Sequence, residues 1–318
     1  MKERPSHIPP EYLELILPVV KEFSGWRADR FVAHKIPRLS RSKVQRILKT
    51  LAFDQNGKPV KANRILRTDD HVVLYKEPPD EPDVCRDIRI IYEDDWYIAV
   101  DKPPRLPVHP TAKYLKNTLT YLLEELYGAE NRPNLTHRLD SETSGIVLCA
   151  KTLDAERLAK GLFARRKVQK VYLAIIDGVI SPESGRIEAP ISPDPTTIIK
   201  ARMWCGDPNG LPALTEYETL KHANGRSLLR MRPRTGRQHQ LRVHLKHKGH
   251  IIVGDKLYAA DQDLFLDYMQ EGLSPSIIER AGHERQALHA HTLSFEHPYT
   301  RKPVNIESPL PEDMQRLI

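Results

Sequence analysis

His137-Arg138-Leu139-Asp140-Ser141-Glu142-Thr143-Ser144-Gly145, running on into Ile146-Val147-Leu148-Cys149-Ala150, sets an acid beside an arginine and a histidine in a polar turn just ahead of an apolar run. The run reads as a buried strand and the turn as the loop that feeds it. A carboxylate on a loop anchored by a rigid strand is held in place yet open to a substrate, and Arg138 beside it suits a polyanionic one. A salt-bridged turn of no chemical consequence has the same composition, so these residues alone leave the two readings level. The rest of the chain decides between them.

With 318 residues there is room for two domains at about 100–200 residues each and for a core without disulfide staples. Composition breaks at Glu77-Pro78-Pro79-Asp80-Glu81-Pro82-Asp83, where prolines among acids can continue neither a helix nor a central strand. This predicts an N-terminal extension over 1–20, a small basic module over 21–76, a linker over 77–87 and a larger body over 88–318. Cys85, Cys149 and Cys205 lie far apart and are odd in number, which fits a reducing compartment and no disulfide framework. No apolar run has the length of a signal or membrane segment, so the expected location is the cytoplasm.

The formal charge of +7 is not spread evenly. Arg27, Arg30, Lys35, Arg38, Arg41, Lys43, Arg46 and Lys49 face a single acid, Asp29, in one window whose net charge equals that of the whole chain. Within it Val44, Ile47, Leu48 and Leu51 fall at i, i+3, i+4 and i+7, one apolar face of a helix opened by Ser40-Arg41-Ser42. Arg27 to Ile36 is a second basic helix candidate, and strands are expected around Val60 and at Val72-Val73-Leu74. A charge run is most often a solvated face, but such a face usually alternates sign, and this one lacks the acids. Arg27, Arg30, Arg41, Lys43, Arg46 and Lys49 are therefore candidates for binding a nucleic-acid backbone. The order Arg27, Asp29, Phe31, Ser40-Arg41, Gln45 and Lys61-Ala62-Asn63 resembles the alpha-L RNA-binding module first known from a small-subunit ribosomal protein, with Gly57-Lys58-Pro59-Val60-Lys61-Ala62-Asn63 in place of its usual hairpin.

The body mixes strand candidates with short helices and shows no regular βαβ alternation. Strands are expected at Ile88 to Tyr92, Trp96 to Val100, Ile146 to Ala150, Val171 to Ile176 and Leu228 to Met231. Helices are expected at Thr118 to Leu126, after Thr152 and around Gln238 to Lys248. Neither a G-x-G-x-x-G nor a Walker loop occurs, so no nucleotide cofactor is expected. Three further segments join the Asp140 loop: Asp101-Lys102-Pro103-Pro104-Arg105-Leu106-Pro107-Val108-His109-Pro110, Gln169-Lys170-Val171-Tyr172-Leu173-Ala174, and Arg232 to Leu245 with its run Arg237-Gln238-His239-Gln240-Leu241-Arg242. In this order and spacing the body resembles the RluA family of pseudouridine synthases, from Asp101 through Gly254-Asp255-Lys256-Leu257-Tyr258 to Leu288-His289-Ala290 and His297-Pro298.

That resemblance implies an α+β fold, a mixed and mostly antiparallel central sheet flanked by helices with a catalytic cleft across its middle. It implies a cofactor-independent isomerisation of uridine to pseudouridine in structured RNA, with ribosomal RNA favoured over transfer RNA by the appended module. Asp140 matches the family's essential aspartate, which can stabilise or trap the sugar cation that develops at C1′. Arg242 matches the guanidinium expected to keep that acid ionised through two hydrogen bonds. Tyr172 matches a tyrosine that can stack on the uracil and act as a base. Arg138 matches the position that enters the RNA stack once the nucleotide is extruded, at roughly a few kcal/mol. Arg105 stands where the family often has glycine, and Ser141-Glu142 where a basic residue and aspartate are common.

Two other readings compete. His239, His244, His247 and His250 suggest metal ligands, but HExxH is missing and no cysteine or carboxylate completes a set, so no metal is expected. A non-catalytic RNA-binding or ribosome-assembly factor would need only the basic module, and such a protein should have lost one of Asp140, Tyr172 and Arg242. The expected protein is a monomer acting on RNA, with no obligate protein partner and no membrane attachment.

Overall fold

The computed structural model describes residues 4–37, 39–78, 80–111, 113–261 and 263–318. Arg38 of the basic window and Pro79 of the proline break lie outside them. The chain divides into two compact units, one ending at Asp80 and the other beginning at Glu81.

The first unit contains β1 (Leu13–Pro18), α1 (Ala28–Lys35), α2 (Arg41–Thr50), β2 (Ala52–Asp54) and β3 (His71–Lys76). Ser40 caps α2, its Oγ accepting from the Lys43 amide at 3.4 Å, and the predicted apolar face turns inward with Val44 and Leu48 buried. These pack with Phe31 and Val32 of α1 and Val72 and Leu74 of β3 in one core. Two expectations change. Around Val60 the chain forms an isolated bridge, Pro59 with Phe53, rather than a strand, and it pairs there with a strand at Ala52–Asp54 that was not expected, Val60 donating to the Ala52 carbonyl at 2.9 Å. Residues 13–18, expected within an N-terminal extension, pair along their whole length with β3 and complete the sheet. Leu13 to Leu17 interposes only Glu14 between apolar residues and sits among prolines, so it shows no period-2 signal.

The second unit contains, in order, β4 (Arg89–Glu93), β5 (Tyr97–Lys102), α3 (Leu119–Tyr127), β6 (Asn134–Leu135), β7 (Ser144–Ala150), α4 (Leu153–Ala164), β8 (Gln169–Asp177), β9 (Ser184–Glu188), β10 (Ser192–Pro193), β11 (Met203–Trp204), β12 (Leu214–Ala223), β13 (Arg226–Pro233), α5 (Gln240–His247), α6 (Leu264–Glu271), α7 (Pro275–Ala281), β14 (Leu288–Glu296), β15 (Pro303–Glu307) and α8 (Glu312–Gln315). Glu81 belongs here rather than to a free linker, because its carboxylate accepts from the amides of Leu115, Lys116 and Asn117. Among the described residues ten strands form one sheet, with the path β4-β5-β7-β14-β8-β13-β12-β9 and with β15 and β6 added beside β14 and β7.

The unbroken apolar run of β7 follows from burial on both sides. Ile146 and Leu148 pack with Ala155 and Ala159 of α4, while Val147 and Cys149 pack with Leu119, Leu122 and Leu123 of α3 on the opposite face. β7 pairs in parallel with β14, and Gly145 makes the close approach possible. It has φ +103°, and a Cβ there would lie 2.3 Å from the Ala290 carbonyl oxygen. The β7, β14, β8, β13 succession brings the turn before β7, the middle of β8 and the segment after β13 to the centre of the sheet.

Candidate active site

Asp140 lies in the turn just before β7, and two buried lysines fix that turn from behind. Lys102, at the end of β5 and fully buried, donates to the carbonyls of Pro103 (2.8 Å), Leu106 (2.9 Å) and Ser141 (2.9 Å). Burial in this setting drops its pKa to about 7. Lys256 donates to Glu142 Oε1 at 2.9 Å, and the other oxygen of Glu142 accepts from the Gln286 amide at 3.0 Å. Glu142, one of the two departures from the family pattern, thus clamps the residues next to Asp140. The other, Arg105, is exposed and has φ +63°, the left-handed region in which the family's glycine would sit without strain.

His137 supports the turn as well. Its Nε2 accepts from the Leu148 amide at 3.0 Å, and burial lowers its pKa to about 3, so it stands as a neutral acceptor. Arg138 is exposed and lines two hollows, a cleft of about 820 Å³ that also contains Asp140, Tyr172, His239 and Arg242, and a smaller one of about 340 Å³ bounded by Arg132 and Lys160.

At the base of the larger cleft Arg242 Nη1 donates to Asp140 Oδ2 at 2.7 Å. The sequence led to two hydrogen bonds between these residues; there is one. The remaining edge of the guanidinium is taken by Asp255, with Nε to Oδ2 at 2.7 Å and Nη2 to Oδ1 at 2.9 Å. Asp255 is held in turn by the amides of Leu257 and Tyr258, both at 3.1 Å. A buried arginine has five donors and a single carboxylate cannot occupy them, so a second acceptor is a physical necessity. Thirteen residues separate Asp255 from Arg242, and no local spacing advertises the pair.

Burial alone would raise the Asp140 carboxyl, but its polar neighbours together, Arg242 foremost among them, outweigh that and hold it below its ordinary value. Asp140 is therefore ionised at neutral pH while only a quarter of its side chain is exposed. Tyr172, on β8 and opposite Ala290, lines the same cleft. Burial, reinforced by Asp140, raises its pKa, which keeps the phenol protonated.

The helix expected from Gln238 begins at Gln240, so Gln238 and His239 precede it and Arg242 lies in its first turn. His244 is not available as a metal ligand in this arrangement, since Nδ1 meets Thr215 Oγ1 (2.9 Å) and Nε2 the Ala189 carbonyl (3.1 Å). His239 was legible in sequence only as a possible ligand; it faces the Asp140 carboxylate instead, Nε2 to Oδ1 at 3.8 Å.

In the first unit Arg27, Arg30, Arg41, Lys43, Arg46 and Lys49 are all exposed. Among the described residues the one ion pair in this window is Arg27 with Asp29 at 2.6 Å, and Asp29 also accepts from Gln45 (3.2 Å), tying α1 to α2. Arg30 lies over the Trp26 ring, 4.0 Å from its centroid.

The family model for RNA pseudouridylate synthase matches residues 96–247. An uncharacterized RNA pseudouridine synthase of Chlorobaculum parvum is 35% identical over 96% of this chain and 96% of its own length. The ribosomal large subunit pseudouridine synthase D of Xanthomonas campestris pv. campestris is 33% identical over 93% of this chain and 88% of that protein. Human RNA pseudouridylate synthase domain containing 4 superposes with a TM-score of 0.56 at 29% identity, covering 72% of this chain and 92% of that one.

Proposed function

Since the chain belongs to the RNA pseudouridylate synthase family, and has that RNA-modifying activity, we propose that its substrate is ribosomal RNA and that Asp140 is the residue that meets the sugar. The names of its relatives favour ribosomal over transfer RNA. The observation that carries the reading is an ionised, partly shielded carboxylate fixed by one buried guanidinium at the base of a cleft of about 820 Å³.

In this reading the uridine leaves the RNA stack and enters the cleft, with Arg138 at its mouth taking up the vacated space. The N1–C1′ bond opens and charge develops at C1′, where the free oxygen of Asp140 approaches. The detached uracil turns, C5 bonds to C1′, C5 gives up its proton and N1 gains one, so the atoms balance without a second reactant. Tyr172, kept as a phenol, offers its ring face to the uracil. Arg242 binds Asp140 through one edge and Asp255 through the other, which fixes the carboxylate without covering both its oxygens. The basic unit ending near Asp80 holds the RNA through its phosphates, in a monomer located in the cytoplasm.

Incubating purified protein with ribosomal RNA transcripts and with transfer RNA, then mapping pseudouridine at single-nucleotide resolution, tests the proposal. Defined sites in ribosomal RNA are the expected result. Conversion confined to transfer RNA would overturn the substrate assignment.

A further inference from the structure

His239 is held unusually for a residue that only caps a helix. Its backbone is left-handed (φ 53°, ψ 19°), a conformation uncommon outside glycine, although histidine adopts it more often than most. Such strain persists where surroundings impose it, and it recurs at functional sites. The side chain is 11% exposed and forms part of the wall of the Asp140 cleft.

Its protonation pattern is set by neighbours. The Met203 amide donates to the Tyr258 hydroxyl oxygen at 2.9 Å, and Tyr258 is 1% exposed. A buried hydroxyl must donate its own hydrogen as well. Among the described residues its partner is His239 Nδ1, at 3.0 Å. Nδ1 therefore accepts, and Nε2 carries the proton of a neutral imidazole. Burial, which pushes the pKa of His239 down to about 4, agrees with that form.

Nε2–H faces Asp140 Oδ1, the oxygen that Arg242 leaves free, but at 3.8 Å the two do not form a hydrogen bond. Donor and acceptor thus stand side by side at the base of the cleft, both available to a third group. A protonated imidazole here would pair with the carboxylate and blunt it; a neutral one can donate without doing so.

We propose that His239 is a catalytic hydrogen-bond donor, its Nε2–H binding the pyrimidine oxygen on which negative charge grows as the N1–C1′ bond opens beside Asp140, and that Tyr258 is the positioning residue that fixes the donating tautomer. The proposal rests on the reading of this cleft as the place of uridine isomerisation. A fixed donor aimed at developing charge is worth roughly 10²–10³ in rate.

The test is single-turnover conversion of uridine in ribosomal RNA at saturating protein, with RNA affinity and thermal melting measured on each variant. In His239→Gln the amide nitrogen reaches about as far as Nε2, whereas in His239→Asn it stops near Nδ1. At φ 53° asparagine is tolerated better than glutamine, so a folding defect would fall on the Gln variant, opposite to the order of rates expected here. His239→Asn is expected to slow conversion by roughly 10²–10³ with affinity unchanged, and His239→Gln to retain most of the rate. Tyr258→Phe should slow the otherwise unaltered protein and add nothing in the His239→Gln background, where no tautomer needs fixing. Equal rates for the Asn and Gln variants, or a Tyr258→Phe effect of the same size in both backgrounds, would overturn the proposal. A parent protein that converts no uridine in either RNA would remove the underlying reading, and the proposal with it.

Discussion

The α2 helix of the first unit and the buried floor of the site in the second use the same basic residue types in opposite ways. In the first, Arg41, Lys43, Arg46 and Lys49 stand exposed on a helix whose other face is core. In the second, Lys102, Arg242, Lys256 and Arg285 are all buried. Each there is committed to named acceptors, as Arg285 is to Asp313 through Nε (2.6 Å) and Nη2 (2.9 Å). Exposed charge acts at range, is screened by salt and fixes no geometry. Buried charge tolerates one arrangement only, because an unpaired ion in a dry interior is expensive. The first kind suits capture of a polyanion, the second suits aiming a reacting group. Net charge therefore locates attraction in a chain, while burial locates precision.

The sharpest way to break this comparison is Asp140→Asn, which keeps the size of the side chain and removes its charge. Turnover should fall below detection while RNA affinity stays within about threefold, since most of the attraction lies with phosphate contacts elsewhere; single-turnover assays beside filter binding would show whether it does. Next is Asp255→Ala. Its carboxylate is 1% exposed, and losing it strands half of the Arg242 guanidinium. A stability loss of about 3–5 kcal/mol is expected in denaturant melts, together with a lower rate as Arg242 loosens.

Acid should act on the second unit through its buried histidines. Burial lowers His137 to about 3 and His244 and His289 to about 4. The unfolded chain takes up these protons first, at the ordinary histidine value near 6.5. Their contribution is thus fully present above about pH 6.5 and is lost as pH falls from there toward 4 for His244 and His289 and toward 3 for His137, at about 1.4 kcal/mol per unit of pKa difference for each group. Urea melts at pH 7.5, 5.5 and 4.5 should show a loss of several kcal/mol by that arithmetic, and a flat profile would contradict it. The smallest effect on stability belongs to Arg41, Lys43, Arg46 and Lys49 changed together to alanine. Melting should move by no more than about 0.5 kcal/mol per site, whereas the slope of log affinity against log salt should drop by about 3.

Much of the fold was visible in local pattern. The α2 stripe, the apolar run of β7 and the breaks at prolines each reflect a rule that acts within a few residues. So does the presence of Asp140 in a loop next to a strand. What escaped the sequence was pairing across distance. Asp255 lies on the chain in a short Gly-Asp turn whose importance comes from Arg242. Tyr258 matters through a hydroxyl that meets His239, and Glu142 through Lys256. A buried polar group announces that it needs a partner, but never which one. β1 was missed for the converse reason, since its face is set by β3, some sixty residues away, rather than by its own alternation.

Gly145 has a consequence for how this site would look in a survey of variants. It touches no proposed reacting group, yet even a methyl there would collide with the backbone of a neighbouring strand. Saturation mutagenesis should find it as intolerant as the acid five residues before it, for reasons of steric exclusion rather than chemistry. A map of intolerance around this loop would thus blend two unlike demands. Only an assay that scores soluble yield apart from turnover can pull them apart.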